Sequence, residues 1–135
     1  MTASSNTFRL LNELDHVRID RLLTQGRNVS ETLAEVLDDA DIVAPAEIPA
    51  DVVTMYTRIT IQEMPDGEPR TMTLCYPPDA DAASGFVSVL SPIGTALLGR
   101  RVGEETQWTT PTGAVQRLRI VEVLFQPEAS GDYTR

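Results

Sequence analysis

The stretch "VSVLSPIGTALLGRRVGEE", Val87 to Glu105, decides how the rest of the chain is read. A strand-like apolar run halts at Ser91-Pro92, turns helical, and halts again at Gly99. Proline suits the first position of a helix, where its missing N–H is not needed and its φ is already set. Glycine suits the far end, where the chain turns left-handed. The pattern therefore predicts a strand, a proline corner and a short helix. Val87, Val89, Leu97 and Leu98 are expected to face a core. Pro92 fixes the corner, and Ser91, Ile93 and Gly94 are expected to project from it.

Upstream of this corner the apolar period is two. In "DVVTMYTRITIQEM", from Asp51, Val53, Met55, Ile59 and Ile61 share one face, which predicts a strand. "PDGE" (65–68) is turn chemistry, and "RTMTLCYPP" alternates again through Met72, Leu74 and Tyr76. Downstream, "EETQWTT", the turn "PTGA" and "VQRLRIVEVLF" predict a long hairpin. Its apolar phase slips between Ile120 and Val121, which predicts a bulge there. The tail "QPEASGDYTR" is expected to be mobile at its end.

The front of the chain has helical spacing. In "LDHVRIDRLLTQG", Asp15 is the expected N-cap, with Leu14 and Ile19 as a hydrophobic staple and Gly26 as the stop. In "NVSETLAEVLDDADIVAP", Leu33, Val36, Leu37 and Ala40 fall on one face before Pro45. The short link between the two predicts an antiparallel hairpin, each helix about a dozen residues and roughly 18 Å long at 1.5 Å per residue. Its tip is Gln25, Gly26, Arg27 and Asn28, without a carboxylate. The fold class is thus α+β: a short N-terminal helical hairpin (1–44), a proline-stiffened linker (45–51), and a curled antiparallel sheet of about five strands with one short helix (52–135).

The 135 residues carry 11 arginines, no lysine and 20 acids, a net charge of −9. Such a balance disfavours self-standing binding to a phosphate backbone. The acidity is concentrated in front, where residues 1–51 hold ten acids against four arginines. No apolar run approaches the ~18 residues that span a bilayer. The N-terminus lacks the pattern of a secretory signal, and the lone Cys75 excludes an internal disulfide, so a reducing cytoplasm is expected.

Catalytic and metal-binding patterns are absent. His16, the one histidine, is expected to be solvated, and with one distant cysteine it cannot build a zinc site. "GTALLG" lacks the lysine of a phosphate loop. Glu35, Asp38, Asp39 and Asp41 crowd the second helix, but acids at consecutive positions splay over different faces and are expected to be solvated. No metal or cofactor is expected.

"FVSVLSPIGTALLG", "RVGEE" and "TPTGAVQRLRIVEVLF", in this order, resemble the C-terminal domain of the Gre transcript-cleavage factors, which has an FKBP-like fold. With "LDHVRIDRLL", "PADVVTM", "LCYP" and "QPEASGDY" added, the whole chain is similar to the Rnk family, regulators of nucleoside diphosphate kinase. The resemblance implies binding at the rim of the secondary channel of bacterial RNA polymerase, through Leu90, Ser91, Pro92, Ile93 and Gly94. Gre factors carry acids at the tip of a long coiled coil, where they help hold a catalytic metal. The short hairpin and carboxylate-free tip here predict channel binding without cleavage stimulation. Leu90 stands where Gre factors tend to have an acidic or polar residue, which implies a more apolar contact. Direct regulation of nucleoside diphosphate kinase by protein–protein contact is the alternative. A peptidyl-prolyl isomerase is a remote one, since its pocket would need clustered aromatics and the seven here are scattered.

Overall fold

The structure, a computed structural model, describes residues 9–25 and 31–132. Strand β1 (Leu10–Asn12) leads into helix α1 (Glu13–Gln25), followed by helix α2 (Glu31–Asp39) and strand β2 (Asp41–Val43). The body contains β3 (Arg58–Met64), β4 (Pro69–Cys75), β5 (Phe86–Ser88), helix α3 (Pro92–Leu97), β6 (Glu105–Thr109) and β7 (Val115–Phe125).

The body is the curled five-stranded sheet with one short helix that the sequence calls for, in the order β5-β4-β3-β7-β6. Ile59 opposes Met72 across the β3–β4 hairpin, while Ile61 opposes Ile120 across β3–β7. These side chains bury because a period-two pattern sends alternate residues to the core face. One expectation needs correction: the sheet is mixed, since β4 and β5 run parallel with Leu74 opposite Val87. The short 3-10 turns at Pro77–Asp79 and Ala82–Ser84 carry the chain back, so that β5 enters in the same direction as β4. The slip at Val121 is real: Ile61 pairs with Ile120 but Thr60 with Glu122, leaving Val121 as the extra residue. Ile120 is fully buried, whereas Val121 is 41% exposed.

Two further expectations are overturned. The strand predicted from Asp51 starts only at Arg58. Val53 and Met55 are buried nonetheless, in an irregular segment where Tyr56 takes a left-handed φ of 64°. The N-cap of α1 is Asn12, whose Oδ1 accepts the Asp15 N–H at 2.7 Å, so Leu14 lies inside the helix and has no staple position to fill. The start of the tail folds back: Gln126, Pro127 and Glu128 are buried, and Glu128–Ser130 forms a 3-10 turn; its end, expected to be mobile, lies at 133–135, outside the described residues.

The two front helices form, but α2 is only nine residues long. Asp41–Val43 leaves the helix to pair in parallel with Leu10–Asn12, a two-stranded sheet that fastens the base of the hairpin. Gly99 bonds this unit to the body, its carbonyl accepting the Leu10 N–H at 3.1 Å. A Cβ at Gly99 would lie 2.9 Å from the Arg9 Cβ, and its φ of +78° is the left-handed conformation that glycine adopts without strain. Leu11, Ile19, Leu33, Val36 and Leu37 join Val89, Leu97, Leu98, Leu118 and Ile120 in one continuous core. Each helix is too short to persist alone, and this shared burial stabilises it.

Candidate functional site

The proline corner is built locally. Ser91 caps α3: its Oγ accepts the Gly94 N–H at 3.1 Å and donates to the Ser88 carbonyl at 2.7 Å. Pro92 sits at the first turn and is exposed, while Leu90, Ser91 and Ile93 are half-buried. One of the residues expected to project does not: Gly94 is buried because α3 approaches β5 so closely that a Cβ there would lie 2.0 Å from the Ser88 carbonyl oxygen. Ile93, like Leu90, is half-buried with one side packed on the core. The surface of the corner is therefore Pro92, flanked by the partly exposed Leu90, Ser91 and Ile93.

A cleft of about 310 Å³ opens beside it, lined by Leu90, Pro92 and Ala96 on one side and Trp108 on the other. The buried Trp108 Nε1–H has no hydrogen-bond partner among the described residues. Thr32, at the start of α2, lines the same cleft. The hairpin is thus laid along α3 rather than standing off the body. Of the expected tip, Gln25 ends α1, and Gly26, Arg27 and Asn28 lie outside the described residues. Glu35, Asp38 and Asp39 of α2 are exposed, as expected of solvated acids; Asp41 is exposed too but lies in β2, not on the helix. Among the described residues no group of three or more His, Cys, Asp or Glu side chains is placed to hold a metal ion.

Arg9 ties the hairpin to the corner. Its guanidinium donates to the carbonyls of Thr95 and, at 3.1 Å, Leu98, satisfying oxygens that the end of α3 leaves unbonded. Burial, with Arg100 close by, pulls its pKa down to about 10, against the opposing pull of Glu104. His16 is half-buried rather than solvated, and its Nε2 lies 3.1 Å from the Leu37 carbonyl, a contact that requires the proton on Nε2.

A second polar cluster lies at the hairpin base, and sequence reasoning missed it. Asp15 is 1% exposed and Glu128 8%. The Glu128 carboxylate accepts from Asn12 Nδ2 and, at 2.7 Å, from Thr54 Oγ1, while Asp15 Oδ2 accepts the Met55 N–H at 3.2 Å. Three separate segments meet here. Burial raises the Asp15 pKa to about 7, and the Glu128 charge adds to the rise, whereas the Met55 bond and Arg18 oppose it. The spacing Asn12-x-x-Asp15 is a capping-box signal that could have placed the helix start. Nothing in "QPEASG" announces a buried acid.

Comparison with known proteins agrees with this architecture. Residues 48–125 match the family described as "Transcription elongation factor, GreA/GreB, C-term". The chain is 42% identical over 128 residues to the regulator of nucleoside diphosphate kinase of Escherichia coli K12, covering 92% of this chain and 94% of that protein. It is 35% identical over 101 residues to the transcription elongation factor GreA of Listeria welshimeri, covering 75% of this chain and 62% of that one. A solved GreA/GreB elongation factor from Nitrosomonas europaea superposes with a TM-score of 0.73 at 37% identity, covering 87% of this chain and 98% of that chain. Family match, whole-length identity and superposition converge: this chain belongs to the GreA/GreB family and, within it, to the regulators of nucleoside diphosphate kinase.

Proposed function

We propose that the chain is a cytoplasmic RNA polymerase-binding regulator, a binding module rather than an enzyme. It docks at the rim of the secondary channel through its body, residues 52–135, does not stimulate transcript cleavage, and is linked to the regulation of nucleoside diphosphate kinase. The observation that carries the reading is the exposed Pro92 on a corner held rigid by the Ser91 cap. A preorganised corner loses little entropy on docking, and Leu90 adds apolar area beside it. Two features support the absence of cleavage stimulation. The described helices span only about 20 and 14 Å at 1.5 Å per residue. Asp38 and Asp39 lie at the base end of α2, remote from the tip, while Glu31 opens the helix at the tip side.

The test is co-purification with core polymerase. Pro92→Asp leaves the fold intact, because an acid is favourable in the first turn of a helix. It places a charge on the contact, and binding is expected to be lost. Binding that survives this change overturns the proposed surface. Capture of nucleoside diphosphate kinase but not polymerase by the same bait would favour direct control of the kinase instead. Cleavage assays on backtracked complexes are expected to show no added cleavage.

A further inference from the structure

The cleft beside Pro92 does not end at the corner. Thr32, exposed at the start of α2, lines both it and an adjoining cleft of about 320 Å³ along the same helix. The two form one groove with unlike ends. At the corner end Leu90, Pro92 and Ala96 face Trp108, and the described lining residues include no carboxylate. At the other end Glu35 and Asp39 stand on the rim, one helical turn apart on the same face of α2. Both acids are exposed, whereas the arginines between them and the body form the floor. Arg100 is 7% exposed, Arg9 is committed to the Thr95 and Leu98 carbonyls, and Glu104 acts on both. The charge that the groove turns outward is therefore negative.

We propose that this groove seats a segment of the docked polymerase that carries one aliphatic anchor side chain flanked by lysine or arginine. The inference rests on the polymerase-docking reading and adds the chemistry that the partner must present. The anchor enters between Leu90 and Trp108, in continuity with the Pro92 corner, where about 310 Å³ is ample for one aliphatic side chain. Removing that side chain from water supplies the attraction at this end. The basic flank lies over Glu35 and Asp39, where opposite charge sets the direction of the segment along the groove and speeds its encounter.

Three observations favour this occupant. The ion pairs among the described residues engage Glu63 and Glu105, which leaves Glu35 and Asp39 to a partner. A buried donor normally has an acceptor, and Trp108 Nε1–H has none among the described residues. A backbone carbonyl of the guest supplies one once the indole turns toward the cleft. The charge of the chain argues against the other occupants. A second copy, also at −9, would bring acids against the acids of α2, and a nucleic acid would be repelled in the same way.

The experiment measures the affinity of bacterial core RNA polymerase for the full chain and its variants at low and moderate salt. Thr109→Trp, at an exposed position lining the cleft, fills the anchor pocket and is expected to weaken binding about tenfold at both salt concentrations. Thr32→Trp fills it from the opposite wall, and thermal unfolding of each variant verifies that the fold persists. Glu35→Lys is expected to weaken binding about tenfold at low salt and to flatten its salt dependence. Asp38→Lys reverses an exposed acid of the same helix that is not among the residues lining the groove. It is expected to stay within about twofold of the parent chain. Undiminished binding in both tryptophan variants, with binding lost in Pro92→Asp, would overturn the groove and leave the docking corner standing. Equal losses in Glu35→Lys and Asp38→Lys would overturn the basic flank, since net charge alone would then account for them. A parent chain that does not bind polymerase would overturn both the docking reading and the groove.

Discussion

The Met55 amide donates to the Asp15 carboxylate at 3.2 Å, joining the first turn of the hairpin to the segment that enters the sheet. The bond fixes how the hairpin meets the body, yet it does so with a carboxyl that burial keeps near neutrality. Glu128 beside it binds Asn12 and Thr54, so two acids share one enclosed space. The hairpin base is held in part by Asp15, whose charge depends on pH.

Stability should therefore fall as pH rises from about 4 to above 7. The Asp15 pKa is about 7 in the fold against 3.8 for an unperturbed aspartate, so the folded chain retains a proton that the unfolded chain releases. That contribution is fully present below the lower value and is lost as pH passes the upper one, a swing on the order of a few kcal/mol. The other groups around Asp15 are Arg18, Tyr76 and Glu128, and Asp15 itself is among the groups that push the buried Tyr76 hydroxyl upward. Asp15→Asn keeps an oxygen for the Met55 N–H and removes the titration. Thermal unfolding at pH 5 and pH 8 should show a smaller difference in Asp15→Asn than in the parent chain, with the variant more stable at pH 8.

Replacing Glu128 by alanine should cost about 1–3 kcal/mol, because it removes the acceptor of the buried Asn12 amide and leaves the Thr54 hydroxyl with Thr57 Oγ1 alone. Hydrogen exchange should then quicken in β1 and in the first turn of α1. Unchanged protection there would mean that the tail does not hold the hairpin.

At the corner, Gly94→Ala should be far more damaging than Ser91→Ala. The new methyl would lie 2.0 Å from the Ser88 backbone carbonyl, which cannot yield without moving β5 from α3. A loss of more than about 2 kcal/mol is expected from such overpacking. Ser91→Ala removes a cap and should cost about 1 kcal/mol. Denaturant unfolding ranks the two.

Adjacent residues of β7 should respond oppositely. Ile120→Ala empties a fully buried site and should cost about 2–5 kcal/mol. Val121→Ser, at the bulge and 41% exposed, should stay within about 0.5 kcal/mol. Equal losses would show that the phase of the strand is not the one described.

Much of the body was legible because its signals act over a few residues. Alternation through Met72 and Leu74, the phase slip after Ile120, and the Pro92–Gly99 punctuation all express local backbone geometry, and the fold honours each of them. Val53 and Met55 show the limit of that logic. They alternate like strand residues and are buried like them, but the Tyr56 φ of 64° breaks the extended backbone between them and β3.

Other features exist only once the chain closes. Leu10–Asn12 and Asp41–Val43 are too short to show a period, and each becomes a strand only because the other lies beside it. Ile93 reads as an exposed loop residue until α3 turns one side of it toward the core. Asp15 and Glu128, or Arg9 and Arg100, are ordinary surface charges in a linear reading. The sequence by itself determined the strand phases, the proline corner, the family and the two helices. Which charges are enclosed together, and how the hairpin lies along the body, was decided by the tertiary structure, because desolvation and Coulomb forces depend on distance through space rather than along the chain.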